Sequence, residues 1–205
     1  MKHEKYDYSD ISRKYGYDTF EKDDIKKVYK KWKKNLSFQE KFCLFLYRIW
    51  SSKINRVIRN DVMGQQQSIS GFYTFMDRGI NSALAKGSID RNIAVYRRVA
   101  KDEALFLESK ELGDVISGTS GYGGYKGTHV DKTINEKYCN MGLPKAFAIF
   151  LVPQGTSCAY INYWVALFSM EHELLLNKDL TYELKEKGNI FGRPLYVLKV
   201  KEVST

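Results

Sequence analysis

In the first half of the chain apolar residues recur at helical spacing, and in the second half they crowd into short β-branched and aromatic runs. In DDIKKVYKKWKKN, residues Ile25, Val28, Tyr29, Trp32 and Leu36 fall three or four positions apart, and Asp23 and Asp24 sit at the N-terminal end, where a carboxylate suits the helix dipole. Ser37 to Glu40 forms an S-x-x-E capping box in front of KFCLFLYRIW, which predicts the start of a second helix. SKINRVIRN predicts a third, and the stretch from Gly71 to Leu84, after the polar GQQQS, a fourth. The first twenty residues are polar and Tyr-rich without clear period, and read as an irregular arm.

The pattern changes at Asn92. NIAVYRRV, KAFAIFLV, CAYINYW, EHELLL, LTYELKE and PLYVLKVKEV have the length and composition of strands, and Gly or Pro punctuates several of the gaps. Helices first and strands afterwards predict an α+β fold, with N-terminal helices packed on a mainly antiparallel, two-sheet β core. The chain reads as one domain: an arm over 1–20, a helical part over 21–90 and a β core over 91–205. The Gly-rich SGTSGYGGYKGTH matches neither GxGxxG nor GxxxxGK[ST] and is expected to be a loop.

Composition narrows the function. With 43% apolar residues the chain can bury a real core, so disorder is a poor reading. The three cysteines, Cys43, Cys139 and Cys158, are too scattered for a disulfide framework or a CxxC metal site, and no metal is expected. No apolar run reaches the roughly 18 residues of a membrane span, and the charged opening MKHEKYDYSD lacks a signal-peptide core. A net charge of +9 attracts acidic partners, whether nucleic acid, anionic lipid or an acidic protein face. Lys26, Lys27, Lys30, Lys31, Lys33 and Lys34 fit either a polyanion site or, more simply, a solvated helix face.

Two clusters suggest chemistry. On a strand, Glu171 and Glu173 of MEHELLL share one face with Cα atoms roughly 7 Å apart, while His172 points the other way. Paired carboxylates repel and lose solvation, an arrangement chemistry uses more often than stability requires, although a solvated acidic edge would read the same way. Of the neighbours Arg97 and Arg98, one must face the covered side of its sheet, where it needs an anion, either an internal carboxylate or a phosphate.

Three segments in order resemble the bacterial ADP-ribosyltransferase exoenzyme family, which includes the enzymatic components of actin-modifying binary toxins and the VIP2-type toxins. INSALAKGSIDRNIAVYRRV is similar to that family's helix and strand leading to its first arginine. IFLVPQGTSCAYIN resembles its strand, VPxGT-like turn and AY-containing strand, and LFSMEHELLLN its closing E-x-E strand. QEKFCLFLYRIWSSKINRVIRND resembles the helical region covering the adenine side of NAD. The family's Ser-Thr-Ser motif is matched by spacing at Gly127-Thr128-His129, where only the central Thr survives; Gly118-Thr119-Ser120 fits less well. Small phage-encoded ADP-ribosyltransferases form a nearby branch.

The resemblance implies a mono-ADP-ribosyltransferase with NAD as substrate and no metal. Glu173 would stabilise the cationic ribose of the transition state. Glu171 would orient and help deprotonate an incoming arginine, a Gln there being the mark of asparagine-directed relatives. Arg97 would bind the diphosphate with Arg98 as accessory, Thr128, Tyr47 and Asn55 would join the NAD pocket, and Phe168 would press on the target. The implied partner is a protein with an acceptor arginine, actin-like or from a host's transcription or translation apparatus, with possible proximity to nucleic acid. The enzyme is expected to be a monomer without a membrane span, acting as a toxin or phage-encoded effector in the cytoplasm of the target or host cell, after secretion or delivery where it is a toxin. The rivals are an NAD glycohydrolase, a non-catalytic basic nucleic-acid-binding module, and a scaffold that has lost activity.

Overall fold

The structure, a computed structural model, describes residues 8–20, 22–62, 71–118, 122–132, 145–162 and 172–201. Five helices come first, α1 (Tyr8–Tyr15), α2 (Lys22–Val28), α3 (Lys30–Asn35), α4 (Phe38–Val62) and α5 (Gly71–Ala85). The β part follows with β1 (Ile93–Val99), helix α6 (Lys101–Glu108), β2 (Val115–Ser117), β3 (Lys126–His129), β4 (Ala146–Val152), β5 (Cys158–Tyr160), β6 (Glu173–Leu176), β7 (Thr181–Ile190) and β8 (Arg193–Lys201). The α+β class holds. Every pairing is antiparallel except that of β4 with β8.

The eight strands form one ladder in the order β2-β7-β8-β4-β1-β3-β6-β5. The two-sheet core expected from the sequence takes the form of two wings of this ladder. They meet at β1 and β3, where the register is a single pair, Tyr96 opposite His129. The larger core lies between one face of the sheet and the helices, and includes Ile93, Val95, Val99, Phe150, Tyr182 and Leu198. A smaller core on the opposite face gathers Ala94, Tyr96, Ile149, Leu151 and Val197 around Ile11 and Tyr17. With both faces covered, every residue of β4 is buried, which explains its unbroken apolar run AFAIFLV.

This second core corrects, over residues 8–20, the reading of the 1–20 arm as irregular. Helix α1 places Ile11 against the sheet, and Asp18 then pairs with β1, its amide donating to the Asn92 carbonyl and its carbonyl accepting from the Ala94 amide. The helix spans only eight residues, too few for a clear period, and it is stabilised by the sheet face it covers rather than by its own propensity.

Local breaks account for the other differences. The single helix expected over 23–36 is two, interrupted at Tyr29 (φ −90°, ψ 6°). The tyrosine is nonetheless buried, within hydrogen-bonding distance of the Cys158 sulfur at 3.3 Å, and Trp32 Nε1 donates to the Ala83 carbonyl at 2.8 Å. Lys26, Lys27, Lys30, Lys31 and Lys34 are exposed, which fits a solvated face and a polyanion site alike. The second and third expected helices are one, α4, kinked at Trp50 (φ −120°, ψ 23°) in front of the Ser51–Ser52 pair. Its capping box forms as expected, the Ser37 amide donating to Glu40 Oε2 and the Glu40 amide to Ser37 Oγ. The Glu40 carboxylate also accepts from Ser82 and Lys86, tying α4 to α5. Burial pushes the Glu40 carboxyl upward, but these hydrogen bonds outweigh it and hold it at about 2.

The end of the Gly-rich stretch is the strand β3, not a loop, because the apolar β6 pairs along its whole length. Helix α6 follows β1 without an expectation from the sequence; its N-terminal turn carries Asp102 and Glu103.

Candidate active site

A cleft of about 710 Å³ opens between α4 and the ends of β1, β3 and β6. Its helix wall is a polar stripe of α4, with Tyr47, Ser51, Asn55 and Arg59 recurring every fourth residue beside Arg48, Ser52 and Arg56. Its strand wall carries Arg97 and Arg98 of β1, Gly127 and His129 of β3, and Glu173 of β6, with Ala100, Asp102 and Glu103 at the start of α6. Of the residues singled out from the sequence, Arg97, Arg98, Tyr47, Asn55 and Glu173 meet here. Glu171 and Phe168 lie outside the described residues, as do Thr119 and Ser120.

Arg97 extends from the helix-facing side of β1 and is held on several sides. Its Nη1 donates to the Gly127 carbonyl at 2.7 Å, and its Nη2 and Nε donate to the two oxygens of Glu103 at 3.1 and 3.4 Å. Between the two anions weighed from the sequence, the fold therefore supplies the internal carboxylate, and it does so without removing Arg97 from the cleft. Lys126 approaches the same carboxylate at 3.7 Å and donates to the Tyr122 carbonyl at 2.6 Å. Burial would raise the Glu103 carboxyl, but the Arg97 and Lys126 charges outweigh it and hold it at about 2. For Lys126 burial wins, and with Arg97 and Arg59 nearby the ammonium is lowered to about 7 despite Glu103.

Glu173 is set by the ladder. It stands opposite His129, and Gly127 is its diagonal neighbour across β3 and β6. A Cβ built on Gly127 would fall on Glu173 Oε1. The missing side chain thus leaves room for the Glu173 carboxylate, which any Cβ would displace, at the position where the resemblance leads one to expect Ser. Thr128 corrects a further expectation. It is fully buried, outside the cleft, and its hydroxyl donates to the Leu174 carbonyl at 2.7 Å. It clamps β3 to β6 next to Glu173 and does not reach a ligand in the cleft.

Asn55 lines the cleft with its amide committed elsewhere. It accepts from the Tyr125 amide at 3.0 Å, donates to the Tyr125 carbonyl at 3.1 Å, and donates to the Tyr47 hydroxyl at 3.0 Å. Gly124 (φ +99°) brings this turn against the Asn55 side chain. Tyr47 is raised above its ordinary range by burial first and by the charge of Glu173 second, so it enters the cleft as a neutral phenol. His129 is lowered to about 3 by burial and then by Arg98 and Arg97, which keeps its imidazole neutral. Its Nδ1 is buried without a hydrogen-bond partner among the described residues.

Arg48, Arg56, Arg59, Glu103 and Lys126 were not singled out from the sequence. The four-residue spacing of polar side chains in YRIWSSKINRVIR was the available signal for the α4 arginines; nothing local pointed to Glu103. Five arginines around one cleft, met by fewer carboxylates, suit a ligand with more than one phosphate, and the volume lies within the range of small-molecule sites. A carboxylate at the same cleft can stabilise positive charge that develops on such a ligand.

The sequence profile of the ADP-ribosyltransferase exoenzyme family matches residues 25–193, and the chain belongs to that family. Comparison with the sequences of characterised proteins gave no match. Among solved structures, the chain is similar to the Clostridium limosum C3 exoenzyme, with 17% identity and a TM-score of 0.66 over 98% of each chain. It is likewise similar to Plx2a, an ADP-ribosyltransferase toxin from Paenibacillus larvae, with 19% identity and a TM-score of 0.65 over 94% of this chain and 96% of that one. The ADP-ribosylating toxin BECa of a C. perfringens binary enterotoxin, solved with NADH, is 15% identical with a TM-score of 0.66, over 98% of this chain and 50% of that one. The fold is that of these ADP-ribosyltransferase toxins. Among the described residues no helix is long and apolar enough to cross a membrane.

Proposed function

We propose that the chain is a mono-ADP-ribosyltransferase that cleaves NAD and transfers ADP-ribose to an arginine of a target protein, releasing nicotinamide. The observation that carries this reading is the convergence of Glu173 with Arg97, Arg98 and the α4 arginines around one cleft. Arg97, fixed by Glu103 and Gly127, and Arg98 beside it bind the diphosphate, with Arg48, Arg56 and Arg59 completing the cationic cradle. Glu173 stabilises the positive charge on the ribose as the bond to nicotinamide breaks. Nicotinamide leaves as a neutral ring and needs no general acid. Tyr47 and His129, both neutral, are hydrogen-bonding groups that line the same cleft as that carboxylate. Asn55 serves mainly by bracing Tyr47, and Thr128 by bracing the strand that bears Glu173. Glu171, from the E-x-E spacing, orients and deprotonates the acceptor guanidinium, and Phe168 contacts the target. The toxin relatives support a site of action in the cytoplasm of a target or host cell.

The test incubates the purified chain and its Glu173→Ala variant with labelled NAD and with bacterial and eukaryotic lysates. A discrete labelled protein seen only with the unmutated chain, with ADP-ribose located on an arginine by mass spectrometry, is the expected result. Nicotinamide release without a labelled protein would make the chain an NAD glycohydrolase. With neither, the enzyme reading fails.

A further inference from the structure

Helix α4 is apolar on two sides. Cys43, Leu44 and Tyr47 face the core. On the opposite side Phe38, Phe42, Phe45 and Ile49 form a second stripe, spaced four, three and four residues apart, and all are exposed, Phe38 at 85%. Trp50 and Phe72 extend the stripe onto α5, their rings 6.3 Å apart, and exposed Phe75 continues it. Trp50, Phe72 and Tyr73 line a small apolar recess together with Lys53. A contiguous apolar surface of this kind marks an interaction site.

The surrounding charge indicates the occupant. Among the described exposed residues of α4 and α5 none is acidic, and the charged ones are Lys53, Arg56 and Arg78. The exposed Lys30, Lys31 and Lys34 of α3 lie just before Phe38 in the chain. The rim of a protein interface is polar, whereas the exposed side chains of this ridge are chiefly aromatic, with Lys53 beside Trp50 and Phe72 in the recess. Rings that enter an acyl boundary while lysines meet phosphate match an interfacial helix on an anionic bilayer. We propose that the exposed α4–α5 face docks the protein on anionic membrane surfaces, with the Phe38, Phe42, Phe45, Ile49 and Trp50 side chains inserted between headgroups and the flanking lysines paired with lipid phosphate. Arg56 aside, this inference uses none of the cleft residues and stands apart from the reading of the cleft.

The experiment is flotation of the full chain with vesicles of phosphatidylcholine mixed with phosphatidylserine, against phosphatidylcholine alone, at low and high salt. The unmutated chain is expected to float with the anionic vesicles and to do so less at high salt. Phe38→Ser/Phe42→Ser/Phe45→Ser should weaken partition about tenfold or more, while the corresponding triple Leu variant keeps it. A reading independent of mutation is quenching of Trp50 fluorescence by bromine-labelled acyl chains, with Trp50→Phe as the blank. Failure of the unmutated chain to float with any vesicle overturns the proposal. So does a folded triple Ser variant that floats as well as the parent, since charge alone would then suffice, or anionic vesicles that leave Trp50 unquenched. If vesicles are ignored and the triple Ser variant instead loses a partner protein retained by the parent, the face is a protein-docking surface and the proposal is equally lost.

Discussion

The helix wall and the strand wall of the cleft hold their polar groups differently. Arg56 and Arg59 come from one stretch of helix, and α4 alone brings them to the same face. The Nε of Arg59 is buried with no hydrogen-bond partner among the described residues. On the strand wall, the groups depend on other elements of the fold. Arg97 needs Glu103 and the Gly127 carbonyl. Glu173 is placed by the β3 register, with its carboxylate over the bare Cα of Gly127. The strand wall, which carries both Glu173 and the diphosphate-binding Arg97, is thus fixed by its surroundings, whereas the helix wall, whose arginines are assigned to binding alone, is set by the geometry of one helix.

Substitutions on the two walls test this contrast. The largest effect is expected for Glu173→Gln, which should lower kcat by about 10²- to 10³-fold while NAD affinity, measured by calorimetry, changes little. Equal losses in kcat and affinity would contradict the division of labour between the walls. Glu103→Ala leaves Arg97 and Lys126 in a buried site without their shared carboxylate and should destabilise the fold by about 3–5 kcal/mol in denaturant titrations. Because the folded Glu103 carboxyl sits at about 2 rather than 4.5, its stabilising share is present above the ordinary value and is lost as pH falls through that window. The acid limb of stability should therefore flatten in Glu103→Gln.

Gly127→Ala should displace the Glu173 carboxylate and reduce kcat roughly ten- to a hundredfold with KM for NAD nearly constant, a split that steady-state kinetics can read. On the helix wall, Arg59→Ala should weaken NAD binding about tenfold and leave kcat at saturation almost intact. Lys126 is tested by pH and not by activity. Folded, it loses its proton near 7 against an ordinary 10.5, so the unfolded chain holds more protons between those values and stability from this group rises with pH across them. Thermal melts at the two ends of that window should show the rise in the parent and lose it in Lys126→Met.

From local pattern alone, the succession of helices and strands could be read, as could the capping box at Ser37, the buried face of Tyr29 and Trp32, and the demand of one of Arg97 and Arg98 for an anion. These follow from periodicity, from orphan backbone groups at a helix end, and from the cost of an unpaired buried charge, all of which act within a few residues. Tertiary structure alone decided that residues 8–15 fold as a helix over the second face of the sheet, that Thr128 turns its hydroxyl to Leu174 and away from the cleft, and that Gly127 meets Glu173. It also brought the α4 arginines to Arg97. Each of these depends on the register between strands far apart in the chain or on a surface that exists only once other elements have packed, and no local preference encodes either.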